Sequence, residues 1–458
     1  MPKIAKTSVE LSRLFSGYGM LGILLLLCLL FSILTISDQH PTGAHAAEVL
    51  AAQLAKTAHS GGVLIICRDN EEDRQFSQVL EKQLQESGVA PITVLAGDPA
   101  TVRTKLAALA MTSGDFRTIA TIESYAPIVR TIKAQFPVLA EAEIITPDPY
   151  RWPTFLLADN LRNVANQITV IAIIAIGMTM VIITAGIDLS SGSLIALSAV
   201  VAAWLIGRLG GENASALGMF IGCAGGIILC GAVGAFSGLM ITQFRIPPFI
   251  ATLAMMQVAA GFAYIISRGQ PIYQLPETFV TLGRGVEPLL RIPYAVLLMA
   301  VLYLMAHIVM SRTTAGRYIY AVGGNMEAAR LAGIRVRLVL FVVYTCCGML
   351  AGLGGVIMAS QLKSGAPTYG LTYELYVIAA VVVGGTSLSG GEGRIFGTLI
   401  GAFIIAVIQN GMNLTNIESY TQKVILGLVI LGAVLLDRLK QQRFQLRKRT
   451  ILGTKQQS

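Results

Sequence analysis

Long apolar runs dominate the chain between residues 160 and 437. About 20 apolar residues are enough for a helix to cross a hydrocarbon core of about 30 Å, and these runs reach or approach that length. They lie at about 167–186, 191–208, 215–243, 248–267, 291–311, 337–360, 372–388, 394–412 and 419–437. A further run precedes them at about 19–36. The pattern predicts about ten transmembrane helices.

Residues 39–151 show a different pattern, in which short apolar segments rich in β-branched residues alternate with charged, helix-like ones. Asp98 followed by Pro99 is typical of a helix start within this segment. The alternation favours a small α/β unit with a largely parallel sheet. The strand candidates are Val63–Cys67, Ile92–Leu95, Thr118–Ile122 and Glu143–Ile145.

The predicted fold class is therefore an all-α polytopic membrane protein with about ten transmembrane helices and an inserted periplasmic α/β domain. Residues 1–38 are the amino terminus and the first transmembrane helix, and residues 39–151 are the inserted domain. Residues 152–437 form the main transmembrane domain, and residues 438–458 form a basic cytoplasmic tail.

The composition supports a membrane protein. Hydrophobic residues make up 54% of the chain and charged residues only 13%, whereas charged residues make up about 25% of an ordinary soluble domain. Most of the surface therefore requires membrane lipid as its partner. The glycine pairs Gly222/Gly226 and Gly234/Gly238 have the small-xxx-small spacing that allows transmembrane helices to approach closely.

Basic residues predict the orientation. Lys3, Lys6 and Arg13 precede the first apolar run, and seven Lys or Arg residues follow the last one, so both termini are expected in the cytoplasm. The net charge of +9 comes with no nucleic-acid recognition motif, so we expect no nucleic-acid partner. The first run exceeds the roughly 7–15 apolar residues of a signal peptide, which favours an uncleaved anchor over a cleaved signal ending near Ala44-His45-Ala46.

No motif indicates catalysis. Five of the six cysteines lie in apolar runs, the four histidines are scattered, and the chain has neither a CxxC pair nor a GxxxxGK[ST] loop. Leu388–Glu392 resembles the signature peptide of ATP-binding-cassette ATPases, but its position between two apolar runs favours a glycine-rich turn. We therefore expect no catalytic residue, no metal site and no cofactor.

The segment Gly186–Ser193 interrupts a long apolar stretch with one carboxylate and three hydroxyls. Aspartate and serine are favoured helix caps, so the segment is compatible with a turn that starts the next helix. An ionisable group at membrane depth also indicates a broken helix facing a water-filled pathway. Asp188, Ser190 and Ser193 are thus candidates for a translocation pathway, and both interpretations stay open.

Residues 321–333 form a candidate amphipathic helix in a loop predicted to be cytoplasmic. One interpretation is a solvated interfacial helix. The other is a coupling helix, a rigid lever that inserts into a groove of a nucleotide-hydrolysing partner, with Gly333 as its C-terminal stop. The coupling candidates are Glu327, Ala328, Ala329, Arg330 and Gly333.

Ordered motifs between about residues 155 and 437 resemble the permease subunits of ribose/xylose/galactose-type ABC importers. The similarity extends over several separate pieces, which makes it more specific than a single glycine pattern. They are Asn160-Leu161, Asn163-Val164, Ala175–Thr179, Val181–Thr184, Gly186–Ser190 with Gly192-Ser193, Gly323–Asn325, Glu327–Ala329, Gly384–Gly391 and Asn410–Leu414.

The resemblance implies a permease, not an enzyme, that translocates a sugar or similar small polar solute across the bacterial inner membrane. It implies a homodimer, a separate cytoplasmic ATP-binding subunit bound near Glu327–Gly333, and a periplasmic solute-binding protein. Two features depart from the family pattern. Ser191 stands where the family usually has an apolar residue, and the insertion at 39–151 replaces a short connection, which leaves the route of solute delivery open.

The alternative function is a secondary transporter or channel driven by an ion gradient, whose expected mark is paired ionisable groups within the spans. Such groups are sparse here. A membrane sensor would need a cytoplasmic output module, and the tail after Asp437 is short for one. For the inserted domain, a structural spacer and a docking or solute-sampling role are both open, since Arg68-Asp69-Asn70 would lie at the carboxyl end of a strand.

Overall fold

The computed structural model describes residues 3–56, 62–110, 116–432 and 434–435. The basic tail predicted at 438–458 lies outside the described residues. The chain divides into two compact units. Ile36–Thr154 form one, and the residues up to Thr35 together with those from Phe155 onward form the other.

Helices account for most of the described chain. In order they are α1 (Lys3–Leu34), α2 (Gly43–Lys56), α3 (Glu71–Glu86), α4 (Pro99–Ala110), α5 (Ala126–Lys133), α6 (Ala158–Ile183), α7 (Ser191–Arg208), α8 (Ala216–Gln243), α9 (Pro248–Ser267), α10 (Thr281–Arg284), α11 (Tyr294–Arg312), α12 (Thr314–Gly324), α13 (Met326–Leu331), α14 (Val336–Leu362), α15 (Tyr373–Val383), α16 (Ile395–Leu414) and α17 (Ser419–Gly432). The strands are β1 (Ile36–Gln39), β2 (Gly62–Cys67), β3 (Ile92–Ala96), β4 (Phe116–Ala120), β5 (Glu143–Ile145) and β6 (Tyr150–Pro153).

The unit Ile36–Thr154 is built on a parallel four-stranded sheet with the strand order β3-β2-β4-β5. All four predicted strands are present, although β4 begins and ends two residues earlier than expected. The strand β2 is buried along its whole length, as a central parallel strand covered on both faces should be. An antiparallel ladder between β1 and β6 pairs the two ends of the unit, and the sequence pattern did not indicate it.

The polar residues after β2 pair with one another. Asp73 is buried, and its Oδ2 accepts a hydrogen bond from Arg68 Nε at 2.9 Å. Asn70 caps α3, because its Oδ1 accepts from the Asp73 N–H at 2.7 Å. Arg74 forms an ion pair with Asp69. The residues that suggested a ligand site at this strand end are therefore engaged in holding the start of α3.

Among the described residues, seven helices are long and apolar enough to cross a membrane: α6, α7, α8, α9, α11, α14 and α16. Three shorter apolar helices accompany them, namely residues 19–34 of α1, α15 and α17. Each predicted span corresponds to one of these ten segments. The prediction of a mainly helical fold is thus confirmed, with seven candidate spans among the described residues. The count of ten transmembrane helices stays a prediction.

The two glycine pairs of α8 contact two different helices. Gly222 and Gly226 pack against Ala202 and Ser198 of α7, whereas Gly234 and Gly238 pack against the backbone of α14. A Cβ atom on Gly226 would lie 2.8 Å from the Ser198 hydroxyl and 2.9 Å from its carbonyl oxygen. The small residues therefore place α8 in backbone contact with both neighbours, as the spacing predicted.

Leu388–Glu392 forms a turn between α15 and α16. Gly390 and Gly391 adopt φ angles of 82° and 77°, which glycine reaches without steric cost. The Ser387 N–H donates to the Glu392 carbonyl oxygen at 3.1 Å and closes the turn. The interpretation of this peptide as a glycine-rich turn is confirmed.

Candidate functional site

Asp188 lies in the non-helical connection between α6 and α7 and is 1% exposed. Its Oδ1 accepts hydrogen bonds from the Ser190 N–H at 2.9 Å and the Ser190 hydroxyl at 2.6 Å. The carboxylate thus stabilises an Asx-type turn immediately before α7. Ser190 is the N-cap residue of α7, but its side chain makes no cap hydrogen bond. The predicted turn is present. Its Asp188 carboxylate accepts hydrogen bonds from Ser190, the N-cap residue, and from no backbone N–H in the first turn of α7.

The backbone of this break is held by a neighbouring helix. Thr252 Oγ1 on α9 accepts from the Leu189 N–H at 3.1 Å and lies 3.2 Å from the Ile187 carbonyl oxygen. Non-helical backbone at membrane depth is tolerated only where such partners or a water-filled cavity satisfy its polar groups. The α6–α7 connection therefore has the features of a broken helix as well as those of a turn.

Two buried oxygens near Asp188 have no hydrogen-bond partner within the described part of the chain. They are Asp188 Oδ2 and the Tyr344 hydroxyl. The Tyr344 hydroxyl packs directly on Gly186, where a Cβ atom would overlap it, and the Cys347 thiol on the same helix α14 lies beside the Asp188 carboxyl group. Two polar side chains of α14, Tyr344 and Cys347, therefore lie beside the buried carboxyl group.

The predicted pathway residues do not behave alike. Asp188 and Ser190 are buried and bonded to each other, whereas Ser193 is half-buried in the first turn of α7. Close to Ser193, the Glu374 carboxylate at the start of α15 packs against Gly192. Glu374 was not among the residues predicted for the pathway, although an acidic residue within the apolar run 372–388 is a recognised signal of a functional site.

The segment 321–333 covers two short helices instead of the single one predicted. Glu327–Arg330 lie on the second, α13, and Gly333 follows its end. The helix α12 ends at Gly324, and Asn325, with an extended φ of −160°, caps α13 by accepting from the Ala328 N–H at 2.9 Å. Two consecutive glycines weaken a helix, and asparagine is a favoured N-cap, which explains the interruption.

The outer face of α13 is open. Glu327 and Arg330 form an ion pair at 2.9 Å with side chains 71% and 69% exposed, and Leu331 is 83% exposed. Ala329 is buried against Val322 and Leu340, and it anchors α13 to α12 and α14. At the end of the segment Gly333 adopts a φ of 84°, consistent with its predicted role as a stop. A rigidly anchored helix thus presents charged and apolar side chains outward.

Most of the helical unit matches a known protein family. The family model described as "Branched-chain amino acid transport system / permease component" matches residues 160–434. The match includes the Asp188 turn and the α12–α13 segment, and it begins after the unit Ile36–Thr154. No solved structure matches the chain.

Curated relatives are sugar permeases. The chain is 44% identical over 293 residues to the ribose import permease protein RbsC of Escherichia coli (strain K12), covering 63% of this chain and 88% of the relative. It is 36% identical over 285 residues to the D-allose transport system permease protein AlsC of the same organism, covering 62% and 85%. It is 36% identical over 291 residues to the L-arabinose ABC transporter permease protein AraH of Azospirillum brasilense, covering 64% and 83%.

Proposed function

Because the chain belongs to the branched-chain amino acid transport system / permease component family, we propose that it is the membrane subunit of an ATP-binding-cassette importer for a monosaccharide. The family description names amino acids, whereas the relatives that this chain covers over most of their length carry names of sugar permeases. Sugar is therefore the proposed solute class, with ribose the first solute to test because the ribose permease is 44% identical.

The observation that carries this proposal is the exposed face of α13. Glu327, Arg330 and Leu331 are mostly exposed at the surface of the helical unit, although the helix itself is firmly anchored. The anchored helix leaves this face open to a partner, and the match to a permease component supports an ATP-binding subunit as that partner. The proposed partner at this face is a separate cytoplasmic ATP-binding subunit, for which Glu327, Ala328, Arg330 and Gly333 form the contact region. Ala329, predicted as a contact, is buried and instead anchors the helix that carries them.

The orientation follows from the charge distribution. With the α12–α13 segment in the cytoplasm of a bacterium and the protein in its inner membrane, both termini also lie in the cytoplasm and the unit Ile36–Thr154 lies in the periplasm. A periplasmic solute-binding protein delivers the sugar, and a second copy of this chain completes the translocation pathway. The arginine-rich loop 312–337 supports this orientation.

The Asp188 turn is proposed as part of the translocation pathway. Its break in the helix, the buried Asp188 carboxylate and the nearby hydroxyls supply polar groups at membrane depth. Asp188 and Ser190 fix the shape of the break, and Ser193 is the candidate for contact with the solute.

The periplasmic unit is proposed to be a structural spacer. The polar residues at the carboxyl end of β2 are engaged in Arg68–Asp73 and Arg74–Asp69 ion pairs, which removes the feature that favoured solute sampling. The alternative is that another surface of the unit docks the solute-binding protein. A shift in the thermal transition of the isolated unit on adding that protein would distinguish docking from a spacer role.

Reconstitution tests the proposed function. The full-length chain is placed in liposomes with its ATP-binding subunit and solute-binding protein, and uptake of radiolabelled ribose is measured with ATP, with a non-hydrolysable analogue, and without the ATP-binding subunit. We expect uptake only in the first condition. Uptake by the purified chain alone, driven by a proton or sodium gradient, would instead show a secondary transporter.

A further inference from the structure

Three backbone segments meet at one atom beneath α12. The carbonyl oxygen of Ile183, the last residue of α6, accepts a hydrogen bond from the Gly391 N–H at 2.8 Å. Gly323, one residue before the end of α12, packs directly on the same oxygen. Gly390 packs on Gly323, because a Cβ atom on Gly390 would lie 2.9 Å from the Gly323 carbonyl oxygen. We call Ile183, Gly323, Gly390 and Gly391 the glycine junction.

No side chain separates the three segments. A Cβ atom on Gly323 would overlap the Ile183 oxygen and lie 2.7 Å from the Gly391 nitrogen. A Cβ atom on Gly391 would lie 2.9 Å from the Gly324 Cα. A second tie lies beside the junction, where the Tyr320 hydroxyl on α12 donates to the Gly393 carbonyl oxygen at 2.8 Å. The helix α12 is therefore joined by direct backbone contact to α6 and to residues 384–393 of the connection between α15 and α16, which we call the 384–393 turn.

Backbone contact of this kind transmits displacement with little loss, because close-packed interiors are only weakly compressible. At one side of the junction, α12 leads through Asn325 to the exposed face of α13. At the other side, Ile183 ends α6 five positions before Asp188. A shift of α13 would therefore reach the start of the Asp188 turn by way of Gly323 and Ile183.

We propose that the glycine junction is the mechanical link between the ATP-binding subunit and the Asp188 turn, with Gly323 and Tyr320 as its positioning residues. This inference rests on the proposed function, since it requires a partner that moves α13. It assigns the glycines of the 384–393 turn a role in coupling, although they lie between membrane helices and outside the face that the partner would contact.

Two adjacent glycines provide a matched comparison. Gly323→Ala inserts a methyl group at the junction, whereas Gly324→Ala, at the next position of the same helix, meets no atom within 4 Å. Each full-length variant is reconstituted with the ATP-binding subunit and solute-binding protein, and ribose uptake per ATP hydrolysed is measured. We expect Gly323→Ala to bind the ATP-binding subunit normally and to lose most of its uptake per ATP, and Gly324→Ala to match the wild type.

A milder variant covers the case in which Gly323→Ala fails to fold. Tyr320→Phe removes one hydrogen bond from α12 to the turn and keeps the ring, and Tyr318→Phe, whose side chain is 45% exposed, is its control. We expect Tyr320→Phe to lower uptake per ATP by about fivefold, the effect of one hydrogen bond. Tyr318→Phe should leave both uptake per ATP and thermal stability unchanged.

The possible failures are distinguishable. If Tyr320→Phe, together with any folded Gly323→Ala protein, couples uptake to ATP as well as a functioning wild type, the inference is overturned and the proposed function stands. Wild-type uptake that needs no ATP-binding subunit would overturn the proposed function and the inference together. A loss confined to binding of the ATP-binding subunit, with an unchanged ratio of uptake to ATP, would also count against a link inside the membrane unit.

Discussion

Asn160 and Asn410 form a reciprocal pair of side-chain hydrogen bonds although 250 residues separate them. Asn160 Nδ2 donates to Asn410 Oδ1 at 3.0 Å, and Asn410 Nδ2 donates to Asn160 Oδ1 at 2.8 Å. Asn160 Nδ2 also lies 2.8 Å from the Phe155 carbonyl oxygen. Both asparagines belong to motif pieces on which the family resemblance rested, and the pair joins the start of α6 to α16.

Replacing either asparagine by alanine should destabilise the helical unit, because the remaining amide loses both hydrogen bonds of the reciprocal pair. Interhelical hydrogen bonds in membrane proteins contribute about 0.6 kcal/mol each on average, so the reciprocal pair predicts a coupling free energy of roughly 1 kcal/mol. A double-mutant cycle of Asn160→Ala and Asn410→Ala, followed by unfolding in sodium dodecyl sulfate, measures it. Asn163→Ala, an exposed residue of the same helix, is the control. Additive effects of the two substitutions would contradict the pairing.

The Asp188 turn predicts opposite outcomes for two substitutions. Asp188→Asn keeps an oxygen that accepts from the Ser190 N–H and hydroxyl, so the protein should insert and fold. Asp188→Leu leaves those buried donors without an acceptor, which costs about 1–3 kcal/mol, and the yield of folded protein should fall. Size-exclusion profiles and thermal unfolding in detergent measure both variants.

Asp159 provides the control for these substitutions, because its side chain is 87% exposed at the start of α6. Asp159→Leu and Asp159→Asn should both fold like the wild type. If Asp188→Leu is as stable as Asp159→Leu, the carboxylate does not stabilise the break, and neither the turn nor the pathway interpretation of Asp188 stands.

Features encoded within one short segment could be predicted from the sequence. The length of the apolar runs predicted the candidate spans, because a helix needs about 20 apolar residues to cross the hydrocarbon core. Short apolar segments separated by charged ones predicted the four strands of the parallel sheet. The Asp98–Pro99 helix start is local for the same reason, and the Asp98 carboxylate indeed accepts from the Thr101 N–H at 2.7 Å.

Features formed between distant segments could not be predicted in this way. Nothing near Gly323 in the sequence indicates the Ile183 oxygen that it contacts, and nothing near Ile36 indicates its pairing with Pro153 in the β1–β6 ladder. Thr252, which holds the break at Leu189, looks like an ordinary hydroxyl within an apolar run. Such contacts depend on tertiary packing, which overrides local pattern.

The Glu327–Arg330 pair should be dispensable for folding and necessary for binding the ATP-binding subunit. Exposed ion pairs contribute about 0–1 kcal/mol to stability, so the double substitution to alanine should leave thermal unfolding nearly unchanged. Loss of both charges from a contact face should weaken binding of the ATP-binding subunit by about tenfold or more, as measured by co-purification at graded concentrations.

The exposed pair Lys82–Glu86 of α3 is the matched control for this experiment. Its double substitution to alanine should leave binding of the ATP-binding subunit unchanged, because α3 belongs to the other unit of the chain. Equal binding by the two double variants would argue against the α13 face as the contact site.

Residues 36–154 should fold as an independent unit. Their core contains buried residues from the central strands and from the helices beside them, including Leu64, Ile65, Phe76 and Leu80. Expressed alone, the fragment should give an α/β circular dichroism spectrum and a cooperative thermal transition. A fragment without a cooperative transition would refute the claim, and a shift of the transition by a sugar or by the solute-binding protein would replace the spacer proposal with a binding role.

The cap of α4 should make that transition depend on pH. The Thr101 hydroxyl and backbone N–H donate to the Asp98 carboxylate, which lowers the pKa of Asp98 below its usual value. A carboxyl group whose pKa is depressed by folding stabilises the folded state above its unfolded pKa of about 3.9, and the contribution disappears as the pH falls through the lower, folded value.

Asp98→Ala should therefore lower the melting temperature of the fragment at pH 7, and the difference from the wild type should narrow below about pH 4. Melting followed by circular dichroism between pH 7 and pH 3 measures this difference. The exposed Asp148, replaced by alanine, is the control and should leave the melting temperature at pH 7 unchanged. A difference that stays constant down to pH 3 would show that the side chain stabilises α4 by some means other than its ionised carboxylate.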